Sequence, residues 1–393
     1  MNRNFIRMIS AILNIPLIFI SYIVPRNKNL WLFGNFKGYF DNPKYIYEKL
    51  NKSGKNVKCI WITKSKLEYK KLKQKNIDVE YYLSLRGLYL SYRAGIVFLT
   101  NGFSDLNRIA SMGAYVVQLW HGMPIKKIQL DSEIDTKISL PLLGPILTIF
   151  HKLLMRTVNQ NIDLFIVNNE KEQHRISRAF GISKNKVVIL GSPRLEIIQD
   201  KNLSKNICKK LQNINKNCKV KILYAPSWRE NGWDENHFIH NYKKIDKALK
   251  KLNACIYIKT HPLTSLEEVE LWNIKKIENI YLLNESAFND INQIYNCVDI
   301  LITDFSSLIY DFSSLSKPII FFIPDLETYE ANRGFYENPV LIAENKINKT
   351  WDQLINEIEN VIKNGKCNSI EKFNKVDNSK NINRIIEYLE SRI

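Results

Sequence analysis

The sequence predicts an α/β protein with two domains, each built around a parallel β-sheet. The chain has 393 residues, which is more than one hydrophobic core usually organises, so two domains are expected. Short apolar runs alternate with polar stretches of helical composition, and this alternation is typical of parallel sheets covered by helices. A Lys- and Asn-rich stretch, residues 200–219, separates two such series and is predicted to be a linker.

The first series supplies the strands of the predicted N-terminal domain, residues 29–199. A helix is expected after the first strand, because Asn42 is a good N-cap and Pro43 suits the first helical position. The turn at residues 191–194 closes the series. The predicted strands are residues 30–33, 57–63, 95–100, 115–120 and 163–168.

The second series supplies the strands of the predicted C-terminal domain, residues 220–349. A helical, charged tail at residues 350–393 is expected to cross back and brace the domains. The predicted strands are residues 220–224, 254–259, 280–283, 300–303 and 318–323.

The N-terminal residues 1–28 are predicted to associate with a membrane. Residues 8–24 carry no charged side chain, with Arg3 and Arg7 before them and Arg26 and Lys28 after them. This stretch is at the lower length limit for a bilayer-spanning helix. We expect an interfacial helix on the inner leaflet, and a true span and a helix packed on the protein are the alternatives.

The charge balance indicates an anionic partner. Lys and Arg outnumber Asp and Glu by 57 to 39, which gives a formal net charge of +18. Lipid headgroups, a polyphosphate or a nucleic acid would each suit such a surface. No helix-turn-helix, RNP or zinc pattern accompanies the charge, so a nucleic-acid partner is not predicted.

The cysteines and histidines show no metal-binding pattern. No CxxC pair, HExxH motif or Cys/His zinc spacing occurs, so no metal is predicted. Several cysteines lie in apolar runs, which predicts buried, reduced thiols and a cytosolic setting. The six cysteines are Cys59, Cys208, Cys218, Cys255, Cys297 and Cys367.

Polar turns directly after predicted strands are the candidate functional sites, because open parallel sheets bind ligands at their carboxyl edge. His121 follows the strand at 115–120, with Gly122 allowing close backbone approach and Lys126 and Lys127 nearby for an anion. A neutral histidine can accept the proton of an attacking hydroxyl. The alternative is a structural histidine bonded within its turn.

Two turns of the second series carry donors suited to phosphate. Arg229 offers a forked guanidinium after Ser227, and His261 follows Lys259 at the end of another strand. Each of these turns has an alternative interpretation as an ordinary loop.

The strongest local pattern is the strand at 300–303 that runs into a polar turn and a helix. Thr303, Asp304, Ser306 and Ser307 bring hydroxyls and free N–H groups to a helix N-terminus, which favours an anion. Asp304 or Ser306 could also act as the N-cap, and the two roles are compatible.

Several common motifs are absent from the sequence. It contains no GxxxxGK[ST], GxGxxG or GxSxG motif and no DxD-type metal pair. ATPase, dehydrogenase and hydrolase functions are therefore disfavoured, and phosphate charge would be neutralised by Lys, Arg, His and helix N-termini.

Taken in order, these turns resemble those of the CDP-glycerol glycerophosphotransferase family, which includes the primases and polymerases of teichoic acid synthesis. One such turn is weak evidence, and seven in sequence between about residues 30 and 338 are specific. The matching elements are Asp41-Asn42-Pro43, Trp120-His121-Gly122-x-Pro124-x-Lys126-Lys127, Gly191-Ser192-Pro193-Arg194, Tyr224-Ala225-Pro226-Ser227-Trp228-Arg229, Lys259-Thr260-His261-Pro262, Thr303-Asp304-Phe305-Ser306-Ser307 and Arg333-Gly334-Phe335-Tyr336.

The resemblance implies a GT-B-like fold, with two Rossmann-type domains and a cleft between them. It implies that the C-terminal domain holds the CDP donor, that the N-terminal domain is the acceptor side, and that His121 and His261 are catalytic. The implied donor-binding residues are Arg229, Ser227, Lys259, Thr303, Asp304, Ser306, Ser307 and Arg333, and those on the acceptor side are Gly122, Lys126 and Lys127.

The implied reaction moves a polyol phosphate from CDP-glycerol or CDP-ribitol. A hydroxyl of a polyprenyl-diphosphate-linked saccharide or a growing polymer attacks the β-phosphorus, and CMP leaves. No cofactor is implied, and the expected location is the cytoplasmic face of the membrane, on an anionic surface.

Three departures from the family pattern leave the acceptor and the polyol open: Met123, Gln129 and the turn at 337–339. The rival predictions are a GT-B glycosyltransferase that uses a UDP-sugar and a catalytically inert membrane or polyanion-binding scaffold.

Overall fold

The chain forms two compact units. The first comprises Met1–Met123, Lys127–Glu196 and Asn374–Ile393, and the second comprises Pro124–Lys126 and Ile197–Phe373. A computed structural model describes residues 5, 9, 15–227, 241–260, 277–283, 288, 290–326, 334–365 and 377–392.

Within the described residues, the first unit is built on a sheet of seven parallel strands in the order β3-β2-β1-β4-β5-β6-β7. The order reverses between β1 and β4, and such a switch point opens a crevice at the carboxyl ends of the strands. The strands are β1 (Asn27–Gly34), β2 (Lys58–Thr63), β3 (Val79–Tyr81), β4 (Ala94–Leu99), β5 (Tyr115–Gln118), β6 (Leu164–Val167) and β7 (Val187–Ile189).

Helices connect these strands in the first unit. The helices are α1 (Ile15–Ile23), α2 (Asp41–Lys52), α3 (Lys66–Gln74), α4 (Leu85–Arg93), α5 (Glu133–Thr136), α6 (Gly144–Asn159) and α7 (Glu170–Phe180), and α8 (Pro193–Gln199) leads out of the unit. Single 3₁₀ turns lie at Phe103–Asp105, Gln129–Asp131 and Lys184–Lys186.

The second unit has the same kind of sheet. The part that the structure describes contains six parallel strands in the order β10-β9-β8-β11-β12-β13, with the switch point between β8 and β11. The strands are β8 (Val220–Ala225), β9 (Ala254–Ile258), β10 (Ile280–Leu282), β11 (Ile300–Thr303), β12 (Ile319–Phe322) and β13 (Ile347–Asn348). The helices are α9 (Lys201–Ile214), α10 (Tyr242–Leu252), α11 (Ile291–Ile294), α12 (Leu308–Ser313), α13 (Pro339–Ile342) and α14 (Trp351–Asn364), with a 3₁₀ turn at Tyr295–Cys297.

The α/β class with two parallel sheets is confirmed. Strands formed where the sequence has continuous apolar runs, because a parallel sheet is covered on both faces and its strands are buried on both. Ile62, Val97 and Phe165 are fully buried in the first unit, and Ile302 and Phe322 are fully buried in the second.

Most of the predicted linker at residues 200–219 forms helix α9, within the second unit. Asp200 caps this helix by accepting from the Asn202 N–H at 2.8 Å. Leu211 is buried, and its carbonyl accepts from the Tyr257 hydroxyl at 3.0 Å. The Lys and Asn side chains lie mostly on the solvated face of an amphipathic helix, so their abundance does not indicate an unstructured segment.

The expectation of reduced thiols was also wrong for four of the described cysteines. Cys208 pairs with Cys297, and Cys218 pairs with Cys255, as disulfides within the second unit. The partners are 89 and 37 residues apart in sequence, so only the packing of α9 and β9 on their neighbours brings them together. Among the described cysteines, Cys59 is buried and unpaired.

The tail contributes to both units. Helix α14 belongs to the second unit, where the Trp351 ring packs on Phe322 with ring centroids 4.5 Å apart. A 3₁₀ turn at Asn378–Lys380 and helix α15 (Asn381–Glu390) belong to the first unit, where Asn381 Nδ2 donates to the Ser192 carbonyl at 2.9 Å.

The N-terminal apolar segment includes the nine-residue helix α1. No helix in the described part of the chain has the length and apolar character needed to cross a bilayer. Ser21 Oγ donates to the Ala110 carbonyl at 2.9 Å, so one side of α1 contacts the rest of the first unit. Phe19, Tyr22 and Ile23 are exposed.

Candidate active site

His121 lies in a sharp turn just after β5, near the switch point of the first sheet. Trp120 has a φ of +53° and Gly122 a φ of +131°. The Trp120 N–H donates to Gln118 Oε1 at 3.0 Å. The buried Trp120 ring lies against the His121 ring, with centroids 4.1 Å apart. The turn therefore holds His121 at the carboxyl edge of the sheet, as the sequence predicted.

A backbone carbonyl fixes the tautomer of His121. Nδ1 lies 3.2 Å from the Thr100 carbonyl oxygen. Because that oxygen can only accept a hydrogen bond, Nδ1 carries the proton, and the lone pair of Nε2 is left to accept another.

The surroundings keep the imidazole neutral. Burial among protein atoms lowers the pKa of His121 most, Lys37 and Arg194 lower it further, and the Thr100 hydrogen bond raises it, with a balance of about 3. Solvent reaches the exposed part of the ring, and water screens the two cations. The pKa lies below its ordinary value of about 6.5, so most of the imidazole is neutral at pH 7 and can act as a base.

Asn42 connects the His121 turn to the turn at residues 191–194. Its Nδ2 donates to the Trp120 carbonyl at 2.8 Å, and its Oδ1 accepts from the Arg194 N–H at 2.9 Å. The predicted N-cap role was wrong, because helix α2 begins at Asp41 and its N-cap residue is Phe40. The Asn42 amide is fully buried and fixes the backbone beside His121.

The three predicted acceptor-side residues are placed differently. Gly122 is buried beside His121, and Lys127 is exposed in the first unit. Lys126 belongs to the second unit, where it forms a β-bridge with Phe335. The neighbouring Ile125 carbonyl accepts from the Tyr336 N–H at 2.8 Å. Lys126 and Lys127 are adjacent in sequence and nevertheless belong to different units.

The switch point of the second sheet joins two predicted donor-binding residues. Ser227 follows β8, and Asp304 follows β11. The Ser227 hydroxyl donates to Asp304 Oδ1 at 2.6 Å, and the Ser227 N–H lies 3.1 Å from both carboxylate oxygens. Thr303 Oγ1 donates to the Ala225 carbonyl at 2.7 Å. Asp304 therefore binds the β8 turn and sets its shape.

Lys259 lies at the same edge, at the end of β9. The residue is buried, and its Nζ lies 3.4 Å from the Thr260 carbonyl oxygen. Since β9, β8 and β11 are neighbours in the sheet, Lys259, Ser227 and Asp304 share one carboxyl edge. This placement suits a polyphosphate, and the binding roles themselves stay predictions.

The helix start after Asp304 differs from the prediction. Helix α12 has six residues and its N-cap is Ser307, which makes no side-chain capping bond, so neither Asp304 nor Ser306 is the cap. Ser306 Oγ lies 3.4 Å from the Leu308 N–H. A helix of fewer than two turns aligns few peptide dipoles, so an anion here would depend on the free N–H groups and hydroxyls.

Three predicted residues, Arg229, His261 and Arg333, lie outside the described residues. The turn after Arg333 is described from Gly334, which has a φ of +64°. The Phe335 ring packs on Phe305 with centroids 5.1 Å apart, so this turn adjoins the Asp304 segment.

The comparison with known families decides the class of protein. The model of the family described as CDP-Glycerol:Poly(glycerophosphate) glycerophosphotransferase matches residues 17–391. The chain belongs to this family.

Curated relatives of this glycerophosphotransferase family member make teichoic acid polymers. The chain is 30% identical over 348 residues to the teichoic acid poly(glycerol phosphate) polymerase of Bacillus spizizenii (strain ATCC 23059 / NRRL B-14472 / W23), covering 86% of this chain and 84% of the relative. It is 32% identical over 200 residues to the teichoic acid ribitol-phosphate polymerase TarK of Staphylococcus aureus (strain NCTC 8325 / PS 47), covering 49% of this chain and 38% of the relative.

The fold of the family member is similar to that of the wall teichoic acid polymerase TagF. A variant of TagF matches with a TM-score of 0.75 at 21% identity, over 99% of this chain and 97% of that chain. Another TagF structure was obtained after soaking with CDPG. At this identity the likeness shows the fold, so the predicted GT-B-like class is confirmed for the two sheets.

The positive charge near His121 in this transferase comes from side chains. Within the described ranges, no group of three or more His, Cys, Asp or Glu side chains could hold a metal ion. Arg194, a buried guanidinium whose charge acts on His121, was noted in the sequence only as part of a turn. Its charge acts on His121 from a distant part of the sequence, which no local pattern indicates.

Proposed function

We propose that the protein transfers glycerol phosphate from CDP-glycerol to a hydroxyl of a lipid-linked saccharide or growing polymer and releases CMP. Membership in the glycerophosphotransferase family supports the class of reaction. The structural observation that carries the proposal is the neutral His121, whose Nδ1–H is bonded to the Thr100 carbonyl and whose Nε2 is left to accept a proton.

In the proposed reaction, His121 Nε2 accepts the proton of the acceptor hydroxyl. The oxygen forms a bond to the β-phosphorus, and the bond from that phosphorus to the bridging oxygen breaks, so CMP leaves with the electron pair. Such transfers depend on positioning and charge stabilisation more than on covalent chemistry. The Arg194 guanidinium adds positive charge near His121.

The second unit is proposed to bind the donor. Ser227, Lys259, Thr303, Asp304 and the Ser306–Ser307 segment lie at or just beyond the carboxyl ends of its central strands. Lys259 would supply positive charge, and Asp304 would shape the β8 turn through Ser227. Arg229, His261 and Arg333 are proposed to complete this donor site on the strength of the sequence pattern alone.

Ribitol phosphate is the second candidate for the transferred group. The similarity to a ribitol-phosphate polymerase over 200 residues supports this alternative. The reaction at phosphorus would be the same, so only the donor and acceptor would differ.

We propose that the protein acts on the cytoplasmic face of a membrane, held by exposed apolar side chains of the first unit. Ile146, Ile149 and Leu153 are spaced along one side of helix α6, and Lys152 and Arg156 are exposed on the same helix. Apolar side chains next to basic ones suit an anionic leaflet. The exposed apolar residues here, which we call the α6 face, are Leu142, Leu143, Ile146, Ile149, Phe150 and Leu153.

Nucleotide release tests the reaction. The purified protein in detergent is given CDP-glycerol, CDP-ribitol or a UDP-sugar, each with a lipid-linked disaccharide. CMP from one CDP-polyol supports the proposal and identifies the donor, and UDP release or no turnover contradicts it. His121→Ala should abolish turnover while CDP still binds, and near-normal turnover of this variant would exclude His121 as the base.

Flotation tests the membrane surface. The protein is mixed with vesicles of phosphatidylglycerol or of phosphatidylcholine, and we expect it to float with the anionic vesicles. Replacing both Ile146 and Ile149 by Asp should weaken binding about tenfold or more, because each buried Ile contributes about 1.5–3 kcal/mol. Leu67→Asp, which changes an equally exposed apolar residue of α3, is the matched control. Equal flotation of all three proteins would contradict the α6 face.

A further inference from the structure

A buried carboxylate lies behind the His121 turn. Asp105 is fully buried and accepts four hydrogen bonds. Its Oδ1 accepts from the Phe36 N–H at 3.0 Å and from Asn101 Nδ2 at 3.1 Å. Its Oδ2 accepts from the Thr100 N–H at 2.6 Å and from the Asn101 N–H at 2.7 Å. These bonds join the loop after β1 to the loop after β4 at the switch point of the sheet.

The hydrogen bonds favour the ionised form of Asp105. Burial raises the pKa of the carboxyl above its ordinary value, and the donors from Phe36, Thr100 and Asn101 offset part of this rise. All four partners are N–H groups, so both oxygens face donors, as an anion requires. Lys64 is the neighbouring cation: burial lowers the pKa of Lys64, and the charge of Asp105 raises it.

One peptide group connects this carboxylate to His121. The N–H of Asn101 and the C=O of Thr100 belong to the same amide. The N–H donates to Asp105 Oδ2, and the C=O accepts from His121 Nδ1–H at 3.2 Å. Hydrogen bonds in a chain polarise one another, so a negative charge on the N–H side makes the carbonyl oxygen a stronger acceptor.

We propose that Asp105 is a positioning residue for the transfer reaction, acting on His121 through the Thr100–Asn101 peptide. The buried charge holds the Nδ1–H tautomer and makes Nε2 a better proton acceptor. Carboxylates bonded directly to histidine do this in metal sites and catalytic triads. Here a peptide lies between the two groups. The inference rests on the proposed role of His121 as the base.

A negative charge behind His121 would assist the reaction because the neighbouring cations oppose protonation of the ring. Lys37 and Arg194 both disfavour a protonated His121, which forms when the ring accepts the proton of the hydroxyl. The Thr100 hydrogen bond raises the pKa of His121, and in the proposal the Asp105 anion strengthens that bond. A purely structural role for Asp105, which holds the two loops together, is the alternative that the experiment must separate.

The test compares Asp105→Asn with Asn35→Ala. Asn35 is buried in the same cluster, where its Oδ1 accepts from Asn101 Nδ2 at 3.1 Å and from the Lys37 N–H at 3.0 Å. Asn35 has no hydrogen bond to the Thr100 carbonyl or to Asp105. We call the hydrogen bonds that run from Asp105 through the Thr100–Asn101 peptide to His121 the relay. Both substitutions disturb the loops, and only Asp105→Asn removes the charge.

Two readouts are measured on each protein. The first is kcat and KM for CMP release from CDP-glycerol. The second is the tautomer of His121 in the absence of substrates, from the ¹⁵N shifts of its ring nitrogens, assigned with His121→Gln. Asp105→Asn should lower kcat about 10- to 100-fold, leave KM for the donor within about threefold, and reduce the Nδ1–H population, whereas Asn35→Ala should retain the wild-type tautomer.

Each outcome bears on the inference. If both variants lose kcat equally and His121 keeps its tautomer in Asp105→Asn, Asp105 is structural and the relay is wrong. If the wild type releases no CMP from any CDP-polyol, the proposed function fails, and the ring shifts still show whether Asp105 sets the tautomer.

If Asp105→Asn does not fold, the single substitution His121→Phe tests the relay from the other end. Phenylalanine keeps an aromatic ring and removes the Nδ1–H donor to Thr100. The relay predicts that the Asn101 amide proton moves upfield as its bond to Asp105 weakens. An unchanged Asn101 amide shift would overturn the proposal.

Discussion

Replacing Asn42 by Ala should lower both stability and turnover, because this buried amide holds the turn that presents His121. In the native protein it donates to the Trp120 carbonyl at 2.8 Å and accepts from the Arg194 N–H at 2.9 Å. Alanine leaves the backbone groups of two buried residues, Trp120 and Arg194, without these partners.

The magnitude follows from the number of groups left unsatisfied. Each buried backbone group without a partner costs about 1–3 kcal/mol, so the free energy of unfolding should fall by about 2–6 kcal/mol. Trp120 also has a positive φ, and without the Asn42 hydrogen bonds its backbone is free to relax to a more favourable conformation. A shift of His121 by about 1 Å would lower kcat about 100-fold.

The assay pairs urea unfolding with initial rates of CMP release. Asn159→Ala is the matched control, since Asn159 is a buried Asn of the same unit that donates to the Phe180 carbonyl at 3.0 Å and has no hydrogen bond to the His121 turn. This control should lose about 1–3 kcal/mol of stability and keep its kcat. If Asn42→Ala is destabilised and its kcat stays within twofold of wild type, the Asn42 hydrogen bonds support the fold and do not position the base.

Three further predictions follow from the described contacts. Because burial and nearby cations lower the pKa of His121, the loss of kcat in acid should have its midpoint below pH 6.5; a midpoint at or above pH 6.5 would contradict the lowered pKa. Asp304→Asn should raise KM for the CDP donor more than it lowers kcat, because Ser227 loses its carboxylate partner; an unchanged KM would contradict that role. A non-reduced digest should contain the peptides joined by Cys208 and Cys297, and Cys208→Ser should lower the unfolding free energy by about 2–4 kcal/mol; recovery of both peptides with alkylated thiols would refute the bond.

Features encoded over a few neighbouring residues could be predicted from the sequence. Strands such as β4 and β11 are continuous apolar runs, and the turns after them carry polar residues that bond to one another at the carboxyl edge of the sheet. His121 could be singled out because it directly follows such a run. Helix α9 was missed because its Lys and Asn content hid an amphipathic period whose buried side includes Leu211.

Features that depend on distant residues were decided by the tertiary structure. Two parallel α/β sheets, the family and a histidine at a strand end could be predicted from residue order alone, since each arises from a short-range pattern. The pKa of that histidine depends on Lys37, Thr100 and Arg194, which follow β1, β4 and β7 and reach it only because those strands lie with β5 in one sheet. Burial and hydrogen-bond geometry exist only once the strands are paired, so the chemistry of the site could not be read from the residues in order.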